Sequence, residues 1–203
     1  MKRIIVAIAV FALWAQVAEA QLSIEDIRRE YANVKEHIAR MSGEFPEEGI
    51  PHEYYQLKVN QNLPATGPHF EDLRMYFGHL DGEERIYDPH YLWFASTKYN
   101  FAAREYYEEY LYDDKGNILF IYSVYPDIVS GKFYDLRLYY NGSKLLKCIV
   151  KRKNMDEMEY HEIYNGTKVP EEYVEMVDML YAKGNANLQL FKQIEYVAYP
   201  YSE

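Results

Sequence analysis

Four turn signals divide residues 70–152 into short strand-like runs: Asp81-Gly82, Asp113-Asp114-Lys115-Gly116-Asn117, Ser130-Gly131 and Asn141-Gly142. Asn-Gly and Asp-Gly accept the positive φ angles that tight hairpins demand. Runs joined this closely pair most cheaply with their sequence neighbours, so the pattern predicts an antiparallel meander. Residues 118–125 are apolar on both sides, which predicts a central strand covered on both faces. Residues 52–59, set between proline- and glycine-containing stretches, read as an edge strand. Tyrosine reinforces the β reading, with 23 residues against 9 Phe and 2 Trp. Its ring packs and its hydroxyl stays polar, which suits strands with a wet face.

The runs contain a repeat. Phe70-Glu71-Asp72-Leu73-Arg74-Met75-Tyr76-Phe77 matches Phe133-Tyr134-Asp135-Leu136-Arg137-Leu138-Tyr139-Tyr140. Tyr106-Tyr107-Glu108-Glu109-Tyr110-Leu111-Tyr112-Asp113 reads as a looser third copy. Alternate strand residues share a side. This groups Phe70, Asp72, Arg74 and Tyr76; Tyr106, Glu108, Tyr110 and Tyr112; and Phe133, Asp135, Arg137 and Tyr139. Leu73, Met75, Leu111, Leu136 and Leu138 lie on the other side, the expected core. Unequal offsets between copies argue against a solenoid.

These arms resemble the Tyr-rich, Gly-turn hairpins of many uncharacterised exported bacterial proteins. The stretch Leu138-Tyr139-Tyr140-Asn141-Gly142-Ser143-Lys144-Leu145 is similar to MORN-like and YD-like β-repeats. The resemblance covers roughly residues 70–150 and implies a structural or binding role, with no catalytic residues attached.

Two helices flank the strands. Ser23-Ile24-Glu25-Asp26 has the form of a capping box, and Ile24, Ile27, Tyr31, Val34, Ile38 and Met41 make one apolar stripe. Gly43 is the expected stop. The stripe is expected to cover the Leu/Met side of the sheet, leaving the aromatic and charged side partly open to water. Thr167-Lys168-Val169-Pro170-Glu171-Glu172 opens a second helix with a Tyr173, Val174, Val177, Leu180, Tyr181 stripe. Gly184 is expected to end or weaken it, and residues 187–198 fit strand or helix equally. The expected architecture is α+β: an N-terminal amphipathic helix packed on a curved antiparallel meander, with a C-terminal helix.

Residues 1–20 read as a cleaved signal peptide. Lys2 and Arg3 precede an apolar run, residues 4–14, and Ala18-Glu19-Ala20 offers the small residues of a cleavage site. The run is about half the length a bilayer needs. The expectation is a single α+β domain, residues 21–203, exported to the periplasm or outside the cell, with no membrane span after cleavage. No cysteine lies near the cut to carry a lipid. The sole cysteine, Cys148, sits among Leu145, Leu146, Ile149 and Val150 and reads as a small buried hydrophobe. A net charge of −10 disfavours nucleic acid and anionic headgroups as partners.

Little in the chain signals chemistry. His37, His52, His69, His79, His90 and His161 form no His-x-x-x-His pair, so no metal is expected. Residues 113–117 lack the later glutamate of a calcium loop. Phosphate, dinucleotide and nucleophile-elbow motifs are absent, and no cofactor is expected. Among the acids, which include Glu83, Glu84, Glu171 and Glu172, the adjacent Glu108 and Glu109 would point to opposite faces of a strand. Asn141-Gly142-Ser143 and Asn165-Gly166-Thr167 fit a glycosylation acceptor, though turn chemistry explains both. What remains is an aromatic face. Trp93, Tyr106, Tyr110, Tyr112, Phe133 and Tyr139 are the expected binding residues for a sugar ring or a protein partner. Cross-strand aromatic packing is the competing reading. The functional expectation is a non-catalytic exported interaction or ligand-binding protein. The alternatives are an exported glycan-acting hydrolase and an accessory or inhibitor subunit of another exported protein.

Overall fold

The structure is a computed structural model that describes residues 22–41, 53–80, 89–127 and 129–199. The signal-peptide reading, the stop at Gly43, His52 and the Asp81-Gly82 turn with Glu83 and Glu84 lie outside the described residues.

Eight strands follow a first helix, α1 (Ile24–Met41). They are β1 (Tyr54–Leu63), β2 (Gly67–His79), β3 (His90–Phe101), β4 (Arg104–Tyr112), β5 (Ile118–Asp127), β6 (Lys132–Asn141), β7 (Lys144–Asn154) and β8 (His161–Gly166). They form one antiparallel sheet in the order β1 to β8, each strand beside its sequence neighbours. A 3-10 turn, Glu171–Tyr173, then leads into α2 (Val174–Ala198). The fold is α+β, and β5 lies inside the sheet with both faces covered along most of its length, as its sequence suggests.

The turn chemistry acts as read. Gly116, Gly131 and Gly142 take φ angles of 84°, 64° and 58°. Asp113 Oδ1 accepts the backbone amides of Lys115 and Asn117 at 3.0 and 2.7 Å. The β3–β4 turn has no glycine, and Ala102 holds a φ of 54° instead. Asn100 braces it: Nδ2 donates to Ala102 O and Pro68 O, each at 2.9 Å, and Oδ1 accepts from Phe70 N at 2.7 Å.

The repeat is structural, but its middle copy sits one residue earlier than the sequence alignment suggests. In the sheet register Met75 lies opposite Ala95, which faces Tyr110, which faces Ile121, which faces Leu138. Tyr110 therefore corresponds to Met75 and Leu138, Glu108 to Leu73 and Leu136, and Glu109 to Arg74 and Arg137. Each arm also meets a bulge at one equivalent point. The shifts fall between Tyr76 and Phe77, between Leu111 and Tyr112, and between Tyr139 and Tyr140. The extra residues on the return strands are Trp93, Leu119 and Leu146, all in the cluster around α1. Bulges at one level add local twist and bend the sheet.

The helices occupy opposite faces. α1 covers Tyr76, Phe94, Leu111, Phe120 and Tyr139 with Ile27 and Val34. α2 covers Leu73, Met75, Ala95, Tyr110, Ile121, Leu136 and Leu138 with Val177, Leu180, Leu188 and Phe191. This corrects the expectation that the first helix lies on the Leu/Met side. The longer α2 takes that mostly apolar side, where Lys183 meets the buried Glu108. α1 has Tyr31 and Lys35 on its inner face, which match the polar groups between the aromatics. Its N-terminus is capped as read: Ser23 Oγ accepts from Asp26 N, and Asp26 Oδ2 accepts from Ser23 N, both at 3.1 Å.

Gly184 does not end α2. It is buried at mid-helix, and residues 187–198 continue as helix. A Cβ at Gly184 would stand 2.8 Å from Ile118 Cδ1 and 2.9 Å from Tyr110 Cδ1. Glycine is there because the helix backbone presses on the sheet. Tyr112 OH donates to the Gly184 carbonyl at 2.8 Å, across that contact. At the other end, Glu195 fastens α2 to β1 and β3, accepting from Tyr55 OH at 2.5 Å and lying 3.0 Å from His90 Nδ1.

Candidate functional site

β4 carries two buried carboxylates in succession. Glu108 points to α2, where Tyr99 OH and Tyr110 OH donate to it at 2.8 and 2.7 Å and Lys183 Nζ lies at 2.9 Å. Glu109 points to α1, where it binds Tyr31 OH, Tyr107 OH at 2.5 Å, and Lys35 Nζ. Each site therefore has two phenols and one helix lysine around one carboxylate. Burial, then the adjacent carboxylate, pushes all four phenols well above the ordinary tyrosine range. These phenols stay protonated and donate. The two clusters hold the helices on the sheet, and neither carboxylate is open to a ligand, with exposures of 2% and 1%.

The α1 side is not covered along its full length. At the end of the sheet where β4 begins, Lys98, Glu105, Tyr107, Val124, Phe133, Lys153 and Tyr160 surround a trough of about 450 Å³. The register builds it: Tyr107 lies between Lys98 and Val124, and Phe133 between Pro126 and Lys153. A hollow of about 280 Å³ shares Lys98 and Tyr107 and extends toward Lys35, Asp72 and Arg74. Tyr107 links the parts, since its hydroxyl binds buried Glu109 while it also lines the trough. Lys153 Nζ stands 5.7 Å from the Phe133 ring centre and 5.0 Å from that of Tyr160. Lys98 pairs with Glu105 at 3.1 Å. Deeper in, Arg137 grips buried Asp135 through two bonds of 2.9 Å and lies over the Tyr122 ring. That grip holds the guanidinium pKa above its ordinary value. Burial, with the Asp135 charge behind it, pushes the Tyr122 phenol up to about 12.

The six expected binding residues do not share a face. Phe133 lines the trough. Tyr106 touches it too, but its ring stacks on Tyr99 at 4.9 Å on the α2 side. Tyr110 and Tyr112 are core residues under α2, at 0% and 1% exposure. Their placement follows from the one-residue shift of the middle arm. Tyr139 is buried beneath α1, with Arg28 over its ring at 5.5 Å. Trp93 is a bulge residue at α1 whose Nε1 donates to Glu30 at 2.9 Å. It lines a separate hollow of about 310 Å³ with Tyr91 and Asp114.

Tyr107, Lys98, Lys153 and Tyr160 are not among the residues that the sequence pattern marks for binding. The basic run of β7 was visible as Lys151-Arg152-Lys153, but Tyr160 lies between strands and had no local signal. Among the described residues, no group of three or more His, Cys, Asp or Glu could hold a metal ion. Cys148 is buried, and burial pushes its thiol up to about 11. No helix among the described residues is long and apolar enough to cross a membrane. Comparisons of the chain with protein-family models, curated proteins and solved structures return no match.

Proposed function

We propose that this protein is a non-catalytic, exported ligand-binding protein and that the trough beyond α1 is its binding surface. One observation carries the reading. Rings from three separate segments, Tyr107 on β4, Phe133 on β6 and Tyr160 between β7 and β8, converge on one cavity and leave it unfilled. Most other aromatics of the sheet pack under a helix or against one another, while Phe70 and Phe101 stand exposed singly and Tyr91 and Trp93 line the smaller hollow by α1. A volume of about 450 Å³ falls in the range of small-molecule sites. Flat rings left half-buried offer contact area at low entropic cost. The apolar face of a sugar ring is the chemistry such a floor suits.

The trough also supports binding over hydrolysis. A glycosidase sets two carboxyl groups across one cleft. Here Glu105 is the carboxylate of one half and Asp72 that of the other. Glu105 is paired with Lys98, and Asp72 accepts from Gln56 Nε2 at 2.7 Å. The test is an oligosaccharide array probed with the unaltered protein and with a Phe133→Ala/Tyr160→Ala variant. The expected result is a defined set of bound sugars that the variant loses while it still unfolds cooperatively, within a few degrees of the parent. Retention of every bound sugar by the folded variant would overturn the assignment.

A further inference from the structure

We infer that the trough takes an acidic oligosaccharide, a short chain of sugar rings bearing carboxylates, and that the lysines of β7 read its charge. The inference rests on the trough being the binding surface. By the strand register, Lys147, Lys151 and Lys153 all point to the α1 side. All three are half-buried, and among the described residues none has a carboxylate within 4.0 Å. The neighbouring acids are engaged elsewhere. Asp135, opposite Lys151, holds Arg137. Glu162, on the other flank of Lys151, accepts from Asn165 Nδ2 at 3.0 Å. Glu105 holds Lys98.

This is an odd arrangement for a chain with a net charge of −10. Acids are abundant, and Lys98 at the trough has Glu105, yet Lys153, the β7 lysine that lines the trough, has no carboxylate within 4.0 Å among the described residues. The ammonium of Lys153 is held only by the faces of two rings, a weaker attraction than a carboxylate gives. An incoming anion supplies the missing charge, and with it specificity and encounter rate. Lys153 adds the second element of the recognition, since it stands between Phe133 and Tyr160. Those rings would pack the apolar face of a sugar while the ammonium meets its carboxylate. Lys151 and Lys153 are two residues apart on one side of a strand, about 6.6 Å. That suits charges repeating along linked rings. A nucleic acid also combines anions with flat rings, but its dense phosphate charge meets repulsion from the acidic remainder of the chain.

The test is calorimetric titration with tetragalacturonate, with neutral cellotetraose and with a short single-stranded DNA, each at low and high salt. The expected result is that tetragalacturonate binds roughly tenfold more tightly than cellotetraose. The preference should shrink at high salt and vanish in Lys153→Gln, whose thermal unfolding should match that of the parent. The salt series applies the same test to the unaltered chain, independently of any folding defect. Equal affinity for the neutral and acidic sugars, or tighter binding of the DNA, overturns the inference. If cellotetraose binds equally and Phe133→Ala abolishes it, the trough stands as the site and only its acidic preference fails. If no saccharide binds, both readings fail.

Discussion

Glu108 and Glu109 are consecutive residues of β4, and their carboxylates lie on opposite faces of the sheet, each beneath its own helix and each bound by two tyrosine hydroxyls and a lysine. The equivalent positions carry Leu and Arg in β2 and β6. β4 is thus the arm that departs from the repeat, and it departs where the helices must be held. Removal of Glu109 would leave two phenols and a lysine without their acceptor, and removal of Glu108 would leave two phenols without theirs and Lys183 with only Glu71 at 3.8 Å. Glu109→Ala and Glu108→Ala should each cost about 2–4 kcal/mol in denaturant unfolding. The two should differ in a local readout. Beyond residues 1–20, Trp93 is the only tryptophan, and it is bonded to α1 through Glu30. Glu109→Ala should shift its emission to the red in the native state, and Glu108→Ala should leave it unchanged. The same shift in both variants would refute separate anchoring.

Stability should fall steeply in alkali. Tyr110 and Tyr112 have phenols raised far above their ordinary value of 10.0, chiefly by burial, and Cys148 is raised from 9.0 to about 11. Below pH 9 both the folded and unfolded chains hold these protons, and the stabilisation is complete. Above it, the unfolded chain loses protons that the folded chain keeps, so each group reduces stability as pH rises. The slope is up to ~1.4 kcal/mol per pH unit for each fully buried group. Thiol ionisation sets in between pH 9 and about 11, and the phenols add their slope from pH 10. Tyrosinate absorbance followed against pH should show a late cooperative step that coincides with loss of the β-sheet signal by circular dichroism. Smooth titration of all tyrosines near pH 10 with the fold intact would contradict this.

Gly184→Ala should destabilise the protein despite alanine's better helix propensity. The gain is about 1 kcal/mol. Against it, the new methyl must displace the wholly buried Tyr110 ring and Ile118. Overpacking of this kind costs about 1–3 kcal/mol. Unfolding midpoints should drop, and a rise would show that the helix–sheet contact is looser than the structure has it.

Tyrosine replacements should separate core from surface. Tyr110→Ala should cost about 3–5 kcal/mol, because the side chain is wholly buried and its hydroxyl serves Glu108. Phe133→Ala, at the half-buried trough, should cost about 1 kcal/mol or less. A Tyr110→Ala/Tyr139→Ala double replacement would therefore measure folding before binding, since both side chains are buried. Comparable losses for Tyr110→Ala and Phe133→Ala in a denaturant series would contradict this division.

Local chemistry made much of this architecture legible. The glycine turns, the Ser23–Asp26 cap and the apolar run of β5 each specify their conformation through near neighbours. The helix faces were harder to read, since which helix covers which side depends on competition between α1 and α2 for the Leu/Met surface. The middle arm was misaligned because Tyr106-Tyr107-Glu108-Glu109 reads nearly alike in either phase. A one-residue slip sends every side chain to the other face. That slip put Tyr110 and Tyr112 on the expected binding face and hid Tyr107, which reaches the trough. The bulges at Trp93, Leu119 and Leu146 left no local trace, because any residue can stand as the extra one.

The most direct measurement of the central claim is an amide chemical-shift map of the unaltered protein titrated with its best-bound oligosaccharide. Perturbations should concentrate at Lys98, Tyr107, Phe133, Lys153 and Tyr160, with Trp93 and the strand β1 unchanged. Perturbations centred on the hollow beside Trp93, or along β1, would contradict the assignment and place the binding surface elsewhere on the sheet.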